Sequence, residues 1–387
     1  MSRARDFANL AGSADAGGLT GRNLIINGAV QVWQRGTTAD TATSGDYMCD
    51  RFLVGFVGLD GNVDWDKETS STPDGFSCAL KVSTDASESS LDAGDFLRIE
   101  HRLEGQNLQL LQKGASSAKS VTLSFWVKSS VASTYTVALE DRDTASFREI
   151  GKSYTINSAD TWEHKTVTFE GDTVGALDND NAYSLGLYFW IDAGSTYTSG
   201  TFSSAWQARD TDERVYDTTG WLESTSPEFY ITGIQLELGE KATSFEHESF
   251  TSQWHKCQRY CTVYNIGGGN THAENYILPH HSPPGKPGHV DVNNRGEWQM
   301  EWPVKRAAHT LTFTDLSNMR WGVGNNGVLN ANSAGAMSVG TSPEGGTVFQ
   351  TVASGMTKGA SDVTHLISMW IKQSSGNNPK IVIDAEL

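Results

Sequence analysis

Cysteine, basic residues and long apolar runs are all scarce in this sequence, and each scarcity excludes something. Four cysteines in 387 residues, Cys49, Cys78, Cys257 and Cys261, are too few and too irregularly spaced for a disulfide scaffold. They read as reduced thiols of a chain made and kept in cytosol. No stretch approaches the ~18 consecutive apolar residues of a membrane span, and residues 1–25 lack the apolar core of a signal peptide, so membrane insertion is not expected. Only 29 Lys and Arg stand against 46 Asp and Glu, a formal charge of −17. The imbalance is uneven: residues 1–245 hold 35 acidic and 19 basic side chains, residues 246–387 hold 11 and 10. An acidic surface of this size repels phosphates and anionic lipid, which removes nucleic acid from the expected partners.

Catalytic signatures are missing as well. There is no Gly-x-Ser-x-Gly elbow, no phosphate-binding loop and no His-Glu-x-x-His helix; the Gly267 to Gly269 run is followed by Asn-Thr-His and reads as linker. Glycan cleavage needs two carboxylates about 5–10 Å apart, and among 46 acidic residues no pair can be placed from sequence. Asp141 and Asp143, with Arg142 between them, read as a solvated turn. Cys257 and Cys261 are four apart on an expected helix, but no second pair completes tetrahedral zinc. His272, His280, His281 and His289 lie among Pro279, Pro283, Pro284 and Pro287. Imidazoles converging on an axis can bind a transition metal, yet a proline-fixed loop with ordinary histidines accounts for the cluster. No catalytic residue, cofactor or metal site is expected.

What is abundant is glycine, 39 residues, and aromatics, 12 Trp, 11 Tyr and 15 Phe, with 19% charged residues. Aromatic and β-branched side chains fill a pleated face while glycine supplies positive φ in tight turns, so the expected class is all-β. A chain of this length accommodates two or three domains. Residues 1–22, with Arg3 and Arg5, show no hydrophobic period and read as an arm that orders only on another surface. From 23 to 247 strand signals recur as in a two-sheet sandwich: Val121 to Lys128, alternating Val, Leu, Phe and Val with Trp126 on the other face, then Thr134 to Glu140, Trp162 to Phe169, Tyr183 to Ile191 and Phe229 to Leu238. Leu103 to Lys113 reads as a short helix or turn. Ser195 to Leu222, rich in Ser, Thr, Asp and Tyr, reads as an extended surface loop, where binding function concentrates. Residues 248–266 contain a linking helix, Ser249 to Tyr260, with Ser249 as N-cap. Residues 267–387 form a second, smaller β domain with strands at Trp298 to Val304, His309 to Phe313, Val348 to Val352, Leu366 to Ile371 and Lys380 to Ile383.

Six short motifs stand in a fixed order: Asn23 to Gly28, Trp33 to Gly36, Asp50-Arg51 before Phe52 and Leu53, Ile234 to Gly239 (Gln-Leu-Glu followed by Leu-Gly), Ala242 to Glu246, and Cys257 to Tyr260 (Cys-Gln-Arg-Tyr). In this order they resemble the tail-fibre and other particle proteins of tailed bacteriophages that carry a carbohydrate-binding-module-like β-sandwich. The resemblance implies a jelly-roll-like sandwich, a location in the virion, an N-terminal arm attached to the particle through residues such as Arg3 and Arg5, a homotrimer, and other virion structural proteins as partners. It further implies recognition of host surface polysaccharide by a tail fibre or tail-tip protein. A capsid decoration protein is the alternative, and a glycan-degrading enzyme a remote third. Modules of this type often hold a structural calcium; here Ala29-Val30-Gln31 follow the Asn-Gly in place of the usual acidic residue, and no calcium site is carried over. Sugar binding by such modules works through exposed aromatic faces. Trp65, Tyr197, Trp206 and Trp221 lie in expected loops and are the candidate glycan contacts.

Overall fold

The computed structural model describes residues 21–265, 295–300, 303–313, 319–323, 337–340, 347–352, 369–373 and 380–387. The expected arm with Arg3 and Arg5, and the four histidines of the proline-rich segment, lie outside the described residues. By its internal contacts the chain divides into two compact units, Met1–Cys257 with Leu387, and Gln258–Glu386.

The first unit is a jelly-roll-like β-sandwich. Its strands are β1 Thr38–Ala39, β2 Phe52–Val57, β3 Val63–Glu68, β4 Ala79–Thr84, β5 Phe96–Glu104, β6 Val121–Ser129, β7 Thr134–Asp141, β8 Arg148–Thr155, β9 Glu163–Phe169, β10 Tyr183–Ala193, β11 Gln207–Ala208 and β12 Glu228–Leu238. Helix α1, Ser195–Thr198, lies between β10 and β11, and α2, Phe250–Gln258, follows β12. The expected turn at Leu103 to Lys113 is two short 3-10 turns, Gly105–Asn107 and Gln109–Leu111. The first sheet has the order β1-β3-β4-β12-β6-β9 and the second β11-β8-β7-β10-β5-β2, with antiparallel neighbours throughout.

Period-two alternation decides which side chains fill the core. Val121, Leu123, Phe125 and Val127 of β6 face Leu185, Leu187, Phe189 and Ile191 of β10 in one buried cluster. Phe125 meets Phe189 at 5.1 Å and Tyr154 of β8 at 5.1 Å, and Tyr135 of β7 meets Phe229 of β12 at 5.7 Å. These edge and tilted aromatic contacts join the sheets and add to the burial term.

Five of the six sequence motifs, all but Cys257 to Tyr260, meet in a hydrogen-bonded knot that closes this sandwich. Asn23 accepts from the Leu236 amide (3.1 Å) and donates to the Ile234 carbonyl (3.1 Å), tying the first motif to β12. Gly28 is required here because a Cβ would collide with that same Ile234 carbonyl. Buried Asn27 accepts from the amides of Gln31 (2.9 Å) and Val32 (3.0 Å) and donates to the carbonyls of Val32 (3.0 Å) and Asp50 (2.9 Å). Asp50 in turn accepts from the Gln34 amide (2.7 Å) and its side-chain nitrogen (2.6 Å). At the other end Gln235 and Glu237 hold the turn that follows them: Glu237 accepts from the amide (2.8 Å) and hydroxyl (2.7 Å) of Thr243, and Gln235 accepts from the Glu246 amide (2.8 Å). The Glu246 carboxylate then accepts from the amides of Arg22 (2.9 Å) and Asn23 (3.1 Å). Helix α2 starts where Ser249 caps it, its hydroxyl accepting from the Ser252 amide at 3.2 Å, and Gln253 of that helix accepts from the Asn27 amide at 2.7 Å.

The described residues of the second unit are also largely β. Its strands are β13 Cys261–Asn265, β14 Arg295–Met300, β15 Thr310–Phe313, β16 Met319–Val323, β17 Met337–Gly340, β18 Thr347–Val352, β19 Met369–Gln373 and β20 Lys380–Asp384. They pair as β13-β20-β15, β14-β18-β17 and β16-β19. Two expectations are corrected. The helix ends at Gln258 and Cys261 opens a strand, so the two cysteines do not share a helix face. The strand expected at Trp298 to Val304 runs from Arg295 to Met300; Pro303 has no N–H to donate to a ladder.

Candidate functional site on the outer face of the second sheet

Where β5, β10, β7 and β8 turn their alternate residues away from the core, the second sheet carries a polar and aromatic face. Register sets it row by row: Trp190 stands opposite Arg98 and Thr136, Tyr188 opposite Glu100 and Ala138, Gly186 opposite Arg102 and Glu140, and Glu140 opposite Glu149. Gly186 leaves room for this packing, since a Cβ there would strike the hydroxyl of Tyr183 and lie 2.8 Å from the Tyr188 ring. The two hydroxyls then meet at 2.7 Å, and Tyr188 donates to Glu140 at 3.0 Å.

Guanidinium groups cover the rings. Arg98 lies 4.4 Å from the Tyr188 centroid and 4.8 Å from that of Trp190, and Arg214 lies 5.0 Å from Trp190. Arg98 is paired with Glu100 at 2.6 Å, and Arg214 joins Glu140 (2.7 Å) to Glu149 (2.9 Å). Glu140 also pairs with Arg142 at 2.6 Å and Arg209 at 3.5 Å. Burial alone would raise the Glu140 pKa, but Arg214, Arg142 and Arg209 outweigh it and hold the group below the usual carboxylate range. Glu149 goes the other way. Burial, helped by the like charge of Glu140 and opposed by Arg214, pushes it up to about 7. The two carboxylates are driven apart, and Glu149 is the one that favours its proton.

This arrangement has a stability consequence. Between the ordinary Glu pKa and about 7 the folded chain keeps a proton on Glu149 that the unfolded chain has released. Stability therefore falls as pH rises through that window, by up to about 3 kcal/mol. Glu149→Gln should remove that part of the slope while keeping an acceptor for Arg214. Urea denaturation of both proteins at pH 5 and pH 8 reads the difference; equal slopes would show that Glu149 is ionised throughout.

The segment Ser195 to Leu222, expected as an open loop, is folded onto this face. Tyr197 of α1 packs at 5.6 Å on Trp190 and 5.3 Å on Phe96, the Val215 amide donates to the Tyr197 carbonyl at 3.0 Å, and β11 adds two residues to the sheet edge against β8. Asp192, at the end of β10, accepts from the Thr218 hydroxyl (2.9 Å) and the amides of Thr219 (2.9 Å) and Leu222 (3.0 Å). A buried carboxylate thus fixes the far end of the segment.

The four aromatic residues singled out from sequence are not brought together. Trp65 is on β3, buried in the core 5.8 Å from Trp33. Trp221 is fully buried, its indole donating to the Glu228 carbonyl at 3.3 Å. Both are corrected from exposed loop aromatics to core. Tyr197 is half-buried against Trp190. Trp206 is half-buried at the β8 edge, where its indole donates to the Glu170 carbonyl at 2.7 Å and the Lys113 ammonium lies 5.9 Å from the ring. Asp141, expected in a solvated turn, is buried and paired with Lys113 at 2.7 Å; the turn is corrected to part of an ion cluster that includes Asp172 and Arg148 (2.8 Å). Sequence reasoning passed over Arg98, Glu100, Arg102, Glu140, Glu149 and Arg214. Their signal was partly there: charged residues at 98, 100, 102 and 104 alternate with Leu97, Ile99 and Leu103, one face of a strand.

Among the described residues no group of three or more His, Cys, Asp or Glu is placed to hold a metal ion, and no helix is long and apolar enough to cross a membrane. No family model matches the chain, and no curated protein matches it. Several solved structures are similar to it. The enzymatically active domain of tailspike protein 4 of bacteriophage CBA120 has 13% identity over 56% of this chain and 21% of its own, with a TM-score of 0.29. The CBM22-2 xylan-binding domain from Paenibacillus barcinonensis has 17% identity over 48% of this chain and 91% of its own, TM-score 0.27. The family 11 carbohydrate-binding module of a cellulosomal cellulase of Clostridium thermocellum has 15% identity over 52% and 99%, TM-score 0.27. This chain spans about a fifth of the tailspike chain.

Proposed function

We propose that this chain is a structural protein of a tailed-phage particle, a tail fibre or tail-tip protein that holds host surface polysaccharide without cleaving it. The observation that carries the reading is the knot. Motif residues scattered over more than 200 positions of sequence meet in one hydrogen-bonded cluster in which Asn23, Asn27, Asp50, Gln235, Glu237 and Glu246 satisfy one another and the backbone. Matches that arose by chance would have no reason to converge. They support a likeness of a whole folded unit, and with it the virion setting, self-association as a trimer, and attachment through residues 1–22.

The outer face of the second sheet supplies the binding half of the reading. It presents the partly exposed guanidinium groups of Arg102, Arg142 and Arg209 on a rigid sheet, the type of support that keeps recognition groups in place. Gold-labelled antibody against the chain should mark the tail tip of intact particles, and the purified chain should compete with particles for adsorption to host cells. Label over the head would favour the decoration protein. Unlabelled particles together with unimpaired adsorption would overturn the reading, and release of reducing ends from host polysaccharide would overturn its non-catalytic part.

A further inference from the structure

Residues 21–245 of this acidic chain contain nine arginines, and five of them, Arg98, Arg102, Arg142, Arg209 and Arg214, share the outer face of the second sheet. Arg142 lies over two rings, Phe147 at 4.0 Å and Tyr183 at 5.3 Å; Arg102 lies over Tyr183 at 5.1 Å, and Arg209 over Phe147 at 4.7 Å. The order Arg102, Tyr183, Arg142, Phe147, Arg209 is an alternating ladder of cation and ring. Its vertical arrangement matters more than its count. The side chains of Arg102, Arg142 and Arg209 are 27%, 30% and 32% exposed, whereas the carboxylates that pair with them, Glu100 and Glu140, are 5% and 1% exposed. The negative charge lies beneath and the guanidinium groups reach the solvent.

Donors remain on these groups. A guanidinium has five N–H donors in a planar fork suited to carboxylate and phosphate. Arg142 uses Nη1 on Glu140, and among the described residues the Arg209 side chain makes the 3.5 Å ion contact with Glu140 and no hydrogen bond. Arg102 donates from Nη2 to Glu100 and from Nη1 to the Leu387 carbonyl, one N–H of each nitrogen, which leaves the second N–H of each; its Nε is buried and takes no part. The rings of Tyr183, Tyr188, Trp190 and Phe147 already lie against guanidinium groups, so what the ladder itself offers a ligand is charge-assisted hydrogen bonds.

We infer that the glycan bound at this face is acidic, a saccharide bearing carboxylate or phosphate groups held by Arg102, Arg142 and Arg209. The inference rests on the glycan-binding reading above and narrows it. The net charge of −17 does not prevent it, because repulsion from distant carboxylates is screened over about 8–10 Å at physiological salt, while the three guanidinium groups act at contact.

The test titrates the full chain with polygalacturonate, the same polymer methyl-esterified, a glycerol-phosphate polymer and single-stranded DNA. At least one acidic polymer should bind, and which one identifies the anion. Methyl esterification should weaken a carboxylate-dependent interaction at least tenfold, and Arg209→Gln should weaken binding by about tenfold while Arg209→Lys retains part of it. Thermal melts of both variants establish that the fold is intact, and Arg102→Gln gives a second probe if either is not. Equal affinity for the esterified polymer, an unchanged Arg209→Gln, or tighter binding to DNA would each overturn the inference. If no acidic polymer binds but the chain still competes for adsorption, the acidic class is wrong and the glycan reading stands; if neither occurs, both fall.

Discussion

Trp221→Ala should lower the stability of the sandwich by about 3–5 kcal/mol, the range for removing a buried indole and leaving a cavity. Trp206→Ala should cost far less, on the order of 1–2 kcal/mol. The two residues look alike in sequence, each in a polar stretch between β10 and β12, and differ in where the chain places them. Trp221 has no exposed surface, belongs to the main core cluster and donates to the Glu228 carbonyl. Trp206 is half-buried and its losses are one hydrogen bond to Glu170 and a contact with Lys113. Denaturant midpoints for the two variants, with far-ultraviolet circular dichroism to follow folding, give the comparison directly. Equal and small effects would mean that the segment ending at Trp221 is not packed as described. Neither variant should lose adsorption through loss of sugar stacking, since neither ring is on the arginine ladder.

The regular part of the sandwich was legible because its signal is local. Val121, Leu123, Phe125 and Val127 alternate within one strand, and the strand is Val121–Ser129. Tyr183 to Ile191 reads as a strand for the same reason and extends to Ala193; the two extra residues include Asp192, a carboxylate that ordinarily signals a strand end but here is buried to anchor the segment after it. Trp65 was misplaced by its neighbours. Asp64, Asp66, Lys67 and Glu68 make the stretch look like a loop, yet Val63 and Trp65 keep the period of two and point inward. The cost of that acidic strand is visible in Asp64, whose pKa is raised to about 6 by burial and by the neighbouring charges of Asp85, Asp40 and Asp66.

The candidate site was much less legible. Arg98, Glu100 and Arg102 share a face by strand periodicity, so their third of it could be read from spacing. Arg142, Arg209 and Arg214 reach the same face only through cross-strand register and through the fold of the segment after β10, which no local pattern encodes. Composition gave no help either. The carboxylates of Ser195 to Leu222 outnumber its two arginines, Arg209 and Arg214, and only the fold brings those two against the sheet. A net charge describes the whole chain; a binding face is set by which few groups stay at the surface and which are buried beneath them.

Asn27→Ala should destabilise the protein by about 3–5 kcal/mol, more than its single small side chain suggests. Asn27 holds the left-handed backbone region, φ 63°, which asparagine tolerates and alanine disfavours by roughly 1 kcal/mol. Its buried amide also makes four hydrogen bonds, two accepted and two donated, linking the first motif to Val32 and to the carbonyl of Asp50. Removing the side chain leaves those amides and carbonyls without partners in a buried place, where each unsatisfied group costs about 1–3 kcal/mol before relaxation. Asn27→Gly separates the two contributions, because glycine adopts the backbone conformation freely and loses only the hydrogen bonds; its loss should be smaller than that of alanine by about 1 kcal/mol. Asn27→Asp keeps both acceptors but turns a carboxylate oxygen toward the carbonyls of Val32 and Asp50, and should be at least as damaging as alanine at neutral pH and less so in acid. Urea titrations of the three variants test the order. A loss below 1 kcal/mol for Asn27→Ala would mean that the knot does not close the sandwich, and would remove the structural reason for the order of the sequence motifs.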